Sequence, residues 1–403
     1  MPSLNSSMQP SSTQEKKKDI ALEGIRGIAA ISVLLWHCAL GFFPEHVGVA
    51  PHEGISIWQG SPFFFFINGT AAVSLFFVLS GYILTRRYFL SGDTQILMQG
   101  ALKRWPRLMG PVLVTVLISY LFLKLGWYFF EKAVPMSHAP FLAKFIWNSE
   151  KPFSFSLFGA LLQGSFSTFF KGEAFYNSSL WTMQPELLGS FIAFGLAPLL
   201  FKAKKISPLI VIILTGYVIL LLHFFQSELV AFPMGVTMAA LLPHKKKYSV
   251  NFMTIGFLVL GLYLLSTSWK RIGIYLPLSW IDPNYKLVTY FYILGATIVI
   301  ALIEIVPTWN TFLSGGFFKW LGEFSFPIYL IHVVVISSLG CLVYLHYGAL
   351  AATAVSLMVT PLAALPLLIF NRLWVATVNS ITRQVLKKNP EINALSHKPS
   401  RLK

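Results

Sequence analysis

The sequence predicts an all-α polytopic membrane protein: about ten transmembrane helices in one bundle, N-in and C-in. Three observations carry this. Hydrophobic residues make up 55% of the 403-residue chain and the mean hydropathy is +0.67, too apolar for an ordinary soluble domain. Charged residues are only 11%, below half the usual share, and they cluster between apolar runs of bilayer length. Lysine and arginine are also distributed unequally between alternate connections, as membrane topology demands.

A hydrocarbon core about 30 Å thick asks for roughly 20 helical residues. Runs of that kind fall near 20–43, 62–85, 108–130, 179–201, 207–225, 228–243, 250–268, 286–306, 321–345 and 348–371, the sixth being the shortest. Residues 1–19 are rich in Ser, Gln and Lys and read as a disordered cytoplasmic tail, and 372–403 as a basic cytoplasmic tail. The bundle, 20–371, is the single chemical domain. The stretch 153–170 is apolar but broken by Gly and Ser, so it reads as interfacial or re-entrant. With the N-terminus inside, the inner connections hold 22 Lys and Arg against eight outside.

The formal charge of +16 therefore reflects topology, and nucleic acid is excluded as a partner. Cys38 and Cys341 both lie in apolar runs, which suits core residues and gives no disulfide framework or metal spacing. His46, His52, His138, His223, His244 and His346 show no metal spacing either. No cleavable secretory signal and no internal repeat of the duplicated-transporter kind is visible.

The first span carries Glu23, Arg26 and His37 in "EGIRGIAAISVLLWH". Eleven helical residues advance about three turns plus 20°, so Arg26 and His37 share a face, roughly 16 Å apart in depth. An intramembrane charge costs at least about 2.5–3.5 kcal/mol, so such residues face a bundle interior or a wet cavity. Either the two line one polar path, or Arg26 snorkels to headgroups while His37 bonds a neighbouring helix. Glu23 can simply pair with Arg26 at i,i+3.

Arg-x10-His in a first span resembles the signature of the acyltransferase-3 family of integral-membrane O-acyltransferases. Four further blocks agree in order: "VSLFFVLSGYILTRRYF" (73–89), "KRWPRLMGPVL" (103–113), "SLWTMQPELLG" (179–189) and "WLGEFSFPIYLIHV" (320–333). Pro106 and Gly110 depart from the family's commoner residues, and no soluble hydrolase-like domain follows the bundle.

The resemblance implies transfer of an acyl group, usually acetyl, from cytoplasmic coenzyme A to a hydroxyl of a carbohydrate or small lipophilic acceptor. No permanently bound cofactor is expected. The partners are acyl-CoA as donor substrate, the acceptor and membrane lipids. His37 suits a general base contributing about 10²–10⁴-fold, or an acyl carrier. Glu186, in the first turns of the fourth span, is at a depth to orient it, or simply answers the helix dipole after Asn177-Ser178-Ser179. Tyr329 and His332, one turn apart with Ser325 a further turn back, can donate to the thioester oxyanion or position the donor, or act as polar glue between helices. Arg86, Arg87, Lys103, Arg104 and Arg107 fall in one inner loop. Of these, Arg104 and Arg107 suit the phosphates of coenzyme A, with Arg26 guiding the pantetheine, although positive-inside residues occur without any ligand. Ser80-Gly81 allows close approach of the donor or of another helix. Two other classes stay open: a transporter or exporter, and an inactive relative serving as an interaction protein.

Overall fold

The computed structural model describes residues 12–47, 58–146, 155–242, 247–268, 273–282 and 287–388. Lys151, Lys245, Lys246, Lys270, Arg271 and Lys286 of the charge count, His52 and His244, and residues 1–11 and 389–403 of the two tails lie outside these residues. Among the described residues all regular structure is helical.

α1 (Ser12–Phe42) begins ahead of the expected span at 20. α2 (Gly69–Ser91) starts at Asn68, whose side chain accepts the Ala71 N–H at 3.2 Å, and stops at Gly92, left-handed at φ 72°. Asp93 at once caps α3 (Thr94–Leu125) by accepting the Gln95 N–H at 2.9 Å. The inner loop expected between 85 and 108 is therefore only Gly92 and Asp93, and the five basic residues lie within helices, Arg86 and Arg87 in the last turns of α2 and Lys103, Arg104 and Arg107 well inside α3. Cap chemistry in Ser-Gly-Asp-Thr, rather than hydropathy, sets this boundary. The second and third spans shift accordingly from 62–85 and 108–130.

α4 (Phe130–Ser137) follows, then α5 (Leu157–Leu162), a π-turn and α6 (Thr168–Phe170), which together form a short apolar rod beside α3. A 3₁₀ turn, Ser178–Thr182, leads into α7 (Met183–Ile206). α8 (Pro208–His223), α9 (Ala231–Leu241) and α10 (Phe252–Leu265) are shorter, and α10 opens on an Asn251–Thr254 capping box. α11 (Leu278–Ile281), α12 (Val288–Ile305), α13 (Pro307–Leu313), α14 (Gly316–Val335) and α15 (Cys341–Lys388) complete the order. The last stretch bends sharply at Gly348, where φ is 80°, a conformation glycine alone takes freely, so α15 doubles back along α14.

A helix lies at each of the ten expected positions. Among the described residues, six stretches are long and apolar enough to cross a membrane: 20–42, 69–91, 94–125, 178–206, 288–305 and 316–386. The protein is a multi-pass membrane protein. At 1.5 Å per residue the 14 residues of α10 rise about 21 Å, short of a full bilayer core.

Two glycine-mediated crossings organise the bundle. A Cβ on Gly27 would lie 2.6 Å from the Leu321 backbone, and one on Gly322 2.5 Å from the Glu23 carbonyl oxygen, so α1 and α14 touch backbone to backbone. Their contacts keep nearly one offset from Gly27 to His37, which means the two helices run parallel. Gly81 likewise packs its bare backbone against Phe232 of α9, which gives the Ser80-Gly81 pair a packing role.

Candidate active site

Because α1 and α14 run parallel, His37 and His332 meet: the rings are 4.6 Å apart and nearly perpendicular, at 70°. His332 is fully buried and His37 half-buried. His37 Nδ1 lies 2.9 Å from the Val33 carbonyl, and His332 Nδ1 lies 2.7 Å from the Tyr329 carbonyl. A carbonyl only accepts, so these partners assign the proton of each neutral ring to Nδ1. His332 Nε2, 3.3 Å from His37 Nδ1, is then a lone pair facing the His37 N–H. His37 Nε2 is left as the basic nitrogen. Phe145 packs on His37 with centroids 5.1 Å apart.

Tyr329 is fixed by the 3₁₀ turn that precedes α7. Its hydroxyl donates to the Ser179 carbonyl at 2.8 Å and sits 2.7 Å from Thr182 Oγ1. Asn177 adds a bond to the Leu330 carbonyl at 2.7 Å, docking this turn onto α14. The Ser325 hydroxyl is taken up by its own helix, at Gly322 O.

A cavity of about 280 Å³ ends against Tyr329; its polar lining includes Arg26, Arg104, Arg107, Glu186 and Ser80. Its apolar wall comes from α2, through Val73, Phe76 and Leu79. Neither histidine lines it. The Tyr329 ring stands between, its centroid 5.7 Å from His332 and 5.9 Å from Phe76.

The sequence leaves Glu186 either to orient His37 or to answer the helix dipole. The hydrogen bonds of Glu186 run instead to Ser80 Oγ, which donates at 2.7 Å, and to the Arg104 guanidinium, which pairs with it directly. Arg104 also donates to Ser80 at 3.0 Å and, through Nε, to Ser190 at 2.6 Å. Arg104 is thus buried and charge-paired, rather than an open phosphate ligand in a loop. Arg26 lines the same cavity, within the electrostatic reach of Glu186 and Glu23. Arg107 lies one turn along α3 from Arg104, at the border of this cavity and a second one.

Arg86 faces away from this site, 3.9 Å from Glu304 of α12, which also accepts from Tyr82 at 2.9 Å. Sequence reasoning passed over Glu304 and Ser190. A lone acid in an apolar span was the available signal for Glu304. Ser190 had none, since a serine one turn beyond Glu186 is unremarkable until α3 packs against it. Among the described residues no group of three His, Cys, Asp or Glu is arranged to hold a metal ion.

The sequence model of the acyltransferase-3 family, described as an acyltransferase domain, matches residues 19–376. The chain is 23% identical over 360 residues to O-acetyltransferase PaAT-1 of Phomopsis amygdali, covering 79% of this chain and 72% of that protein. No solved structure matches. The chain belongs to the acyltransferase-3 family and is an acyltransferase enzyme.

Proposed function

We propose that this protein is an integral-membrane O-acyltransferase that moves an acetyl group from cytoplasmic acyl-CoA to a hydroxyl of a carbohydrate or small lipophilic acceptor. The observation that carries the chemistry is the His37–His332 pair, with both Nδ1 protons fixed by backbone carbonyls. An alcohol is a poor nucleophile until a base takes its proton. His37 Nε2 accepts that proton as the alcohol oxygen attacks the thioester carbon. The carbon–sulfur bond then breaks, and the departing thiolate is protonated by the His37 imidazolium. While His37 is charged, its Nδ1–H is held by the Val33 carbonyl and the His332 lone pair, a preorganised acceptor pair that favours the cation. Acylation of His37 Nε2 before transfer uses the same lone pair and the same backing.

Three arginines and three glutamates line the cavity; with Glu186 paired to Arg104 and Glu323 to Arg372, Arg26 and Arg107 against Glu23 leave one positive charge in excess, which suits an anionic donor. Arg26 and Arg107 supply positive charge, and Arg104 with Ser80 and Ser190 holds Glu186 in the wall. Tyr329 carries a committed hydroxyl, so it holds a fixed position where the cavity meets the histidine pair and places the thioester beside it. The acetyl assignment draws on the relative from Phomopsis amygdali, an O-acetyltransferase.

We read all ten apolar helices as spans, with both termini cytoplasmic. The parallel course of α1 and α14, expected first and ninth, supports that alternation. Incubation of the purified protein with labelled acetyl-CoA tests the donor reading: slow hydrolysis or transfer is expected, and neither enzyme-dependent hydrolysis nor binding would overturn it. Mass spectrometry of glycans and lipophilic products from cells with and without the protein tests the acceptor class.

A further inference from the structure

A second cavity of about 360 Å³ adjoins the first and shares Leu84, Arg104 and Arg107 with it. Three helices build it. α3 contributes Gln95, Gln99, Lys103 and Arg107, spaced four apart and therefore stacked along one face. The end of α2 contributes Arg87, and α15 contributes Asn379, one turn before Arg383. Lys103 lies in the combined field of Arg107, Arg383 and Arg87. Asp93, the carboxylate in the lining, is engaged as the N-cap of α3. Among the described residues, Arg87, Lys103 and Arg107 form no ion pair, in contrast to Arg86 and Arg104, whose carboxylates are in place. Arg87, Lys103 and Arg107 held together with amides, against the single carboxylate of Asp93, leave a net positive site suited to a polyanion.

We propose that this second cavity binds the phosphorylated nucleotide end of the acyl donor, with Arg87 and Lys103 recognising its phosphates. The proposal rests on the acyl-CoA reading above and adds a recognition site to it. Size favours it: at 280 Å³ the first cavity is at or below the small end of the about 300–1,000 Å³ typical of pockets for drug-sized ligands, and a nucleotide-bearing thioester is larger than most of those. Two cavities in series hold both ends, the thioester against Tyr329 and the nucleotide over α3. The guanidinium of Arg87 offers both a fork for phosphate and a plane for the purine, and Gln95, Gln99 and Asn379 offer amides to either. An anionic lipid headgroup presents similar phosphate chemistry. Continuity with the acyl cavity favours the donor.

The test uses the full chain in nanodiscs of zwitterionic lipid, with calorimetric binding of coenzyme A, 3′-dephospho-coenzyme A and pantetheine. Wild type should prefer coenzyme A to the dephospho form by about tenfold or more, the scale of one charge-assisted phosphate contact. Arg87→Ala with Lys103→Ala should lose about tenfold for coenzyme A and most of that preference, while pantetheine binding is unchanged; Arg87→Lys should retain most of both. Unaltered coenzyme A affinity in the double variant overturns the subsite and leaves the donor reading intact. Equal weakening of all three ligands assigns a structural role and also overturns it. Loss of co-purified anionic lipid without any change in coenzyme A binding assigns a headgroup instead. Wild type that binds none of the three removes the donor reading, and the subsite with it.

Discussion

His332 Nε2 stands 3.3 Å from His37 Nδ1, although 295 residues separate them in the chain. The contact exists because α1 and α14 run parallel with glycines at their crossing. On the mechanism proposed above, one histidine supports the other electrostatically, and the two residues then have separable roles.

Replacing His37 by alanine should abolish transfer, by about 10²–10⁴-fold in kcat, while coenzyme A still binds, because the cavity is lined without it. His332→Ala should also lower turnover, and His332→Gln should recover part of it, since an amide oxygen can accept the His37 N–H. Turnover and donor affinity, measured at matched expression, check both. Near-normal turnover in His37→Ala would remove the histidine from the mechanism.

Glu186→Ala leaves the buried Arg104 guanidinium without its carboxylate, in a pair whose side chains are only 10% and 16% exposed. A loss of about 3–5 kcal/mol of stability is expected, and Arg104→Ala with Glu186→Ala should lose less than the sum of the single losses. Thermal melts in detergent supply the cycle. Strict additivity would show that the pair does not act as a unit.

Gly27→Val should prevent α1 from seating on α14, because the added Cβ would lie 2.6 Å from the Leu321 backbone. Gly195→Ala meets nothing within 4 Å and removes a mid-helix glycine, so it should be neutral or stabilising by about 0.5–1 kcal/mol. Monodispersity after extraction distinguishes the two. A well-behaved Gly27→Val protein would refute the close crossing.

Single cysteines at the exposed positions Glu131 and Gln384, in a background lacking Cys38 and Cys341, report topology. The ten-span reading expects Glu131→Cys to label from outside and Gln384→Cys only after permeabilisation. Labelling of both from one side would mean an even number of crossings between Glu131 and Gln384, against the seven of the ten-span reading, and would overturn it.

Much of this protein is legible in its sequence, for reasons of period and solvent. A lipid core requires long apolar helices, so the positions of the spans follow from hydropathy, and helical geometry alone puts Arg26 and His37 on one face. The ordered motifs are enough to suggest the family. Boundaries near Gly92 and Asp93 were set by caps that hydropathy does not weigh, which moved Arg104 from a loop into the bundle.

Partner choice belongs to the tertiary structure. Periodicity states which residues share a face, but not which face it meets. Glu186 could have been drawn to a histidine at its own depth; the packing of α3 and α2 against α7 brought Arg104 and Ser80 to it instead. The packing of α12 against α2 paired Arg86 with Glu304 and left Arg87, its neighbour in sequence, facing the second cavity without a carboxylate partner. Adjacent residues on a helix point about 100° apart, so two arginines that look equivalent in sequence can enter different environments. That divergence was decided by the neighbouring helices, each of which either supplies a carboxylate or leaves the charge for a ligand.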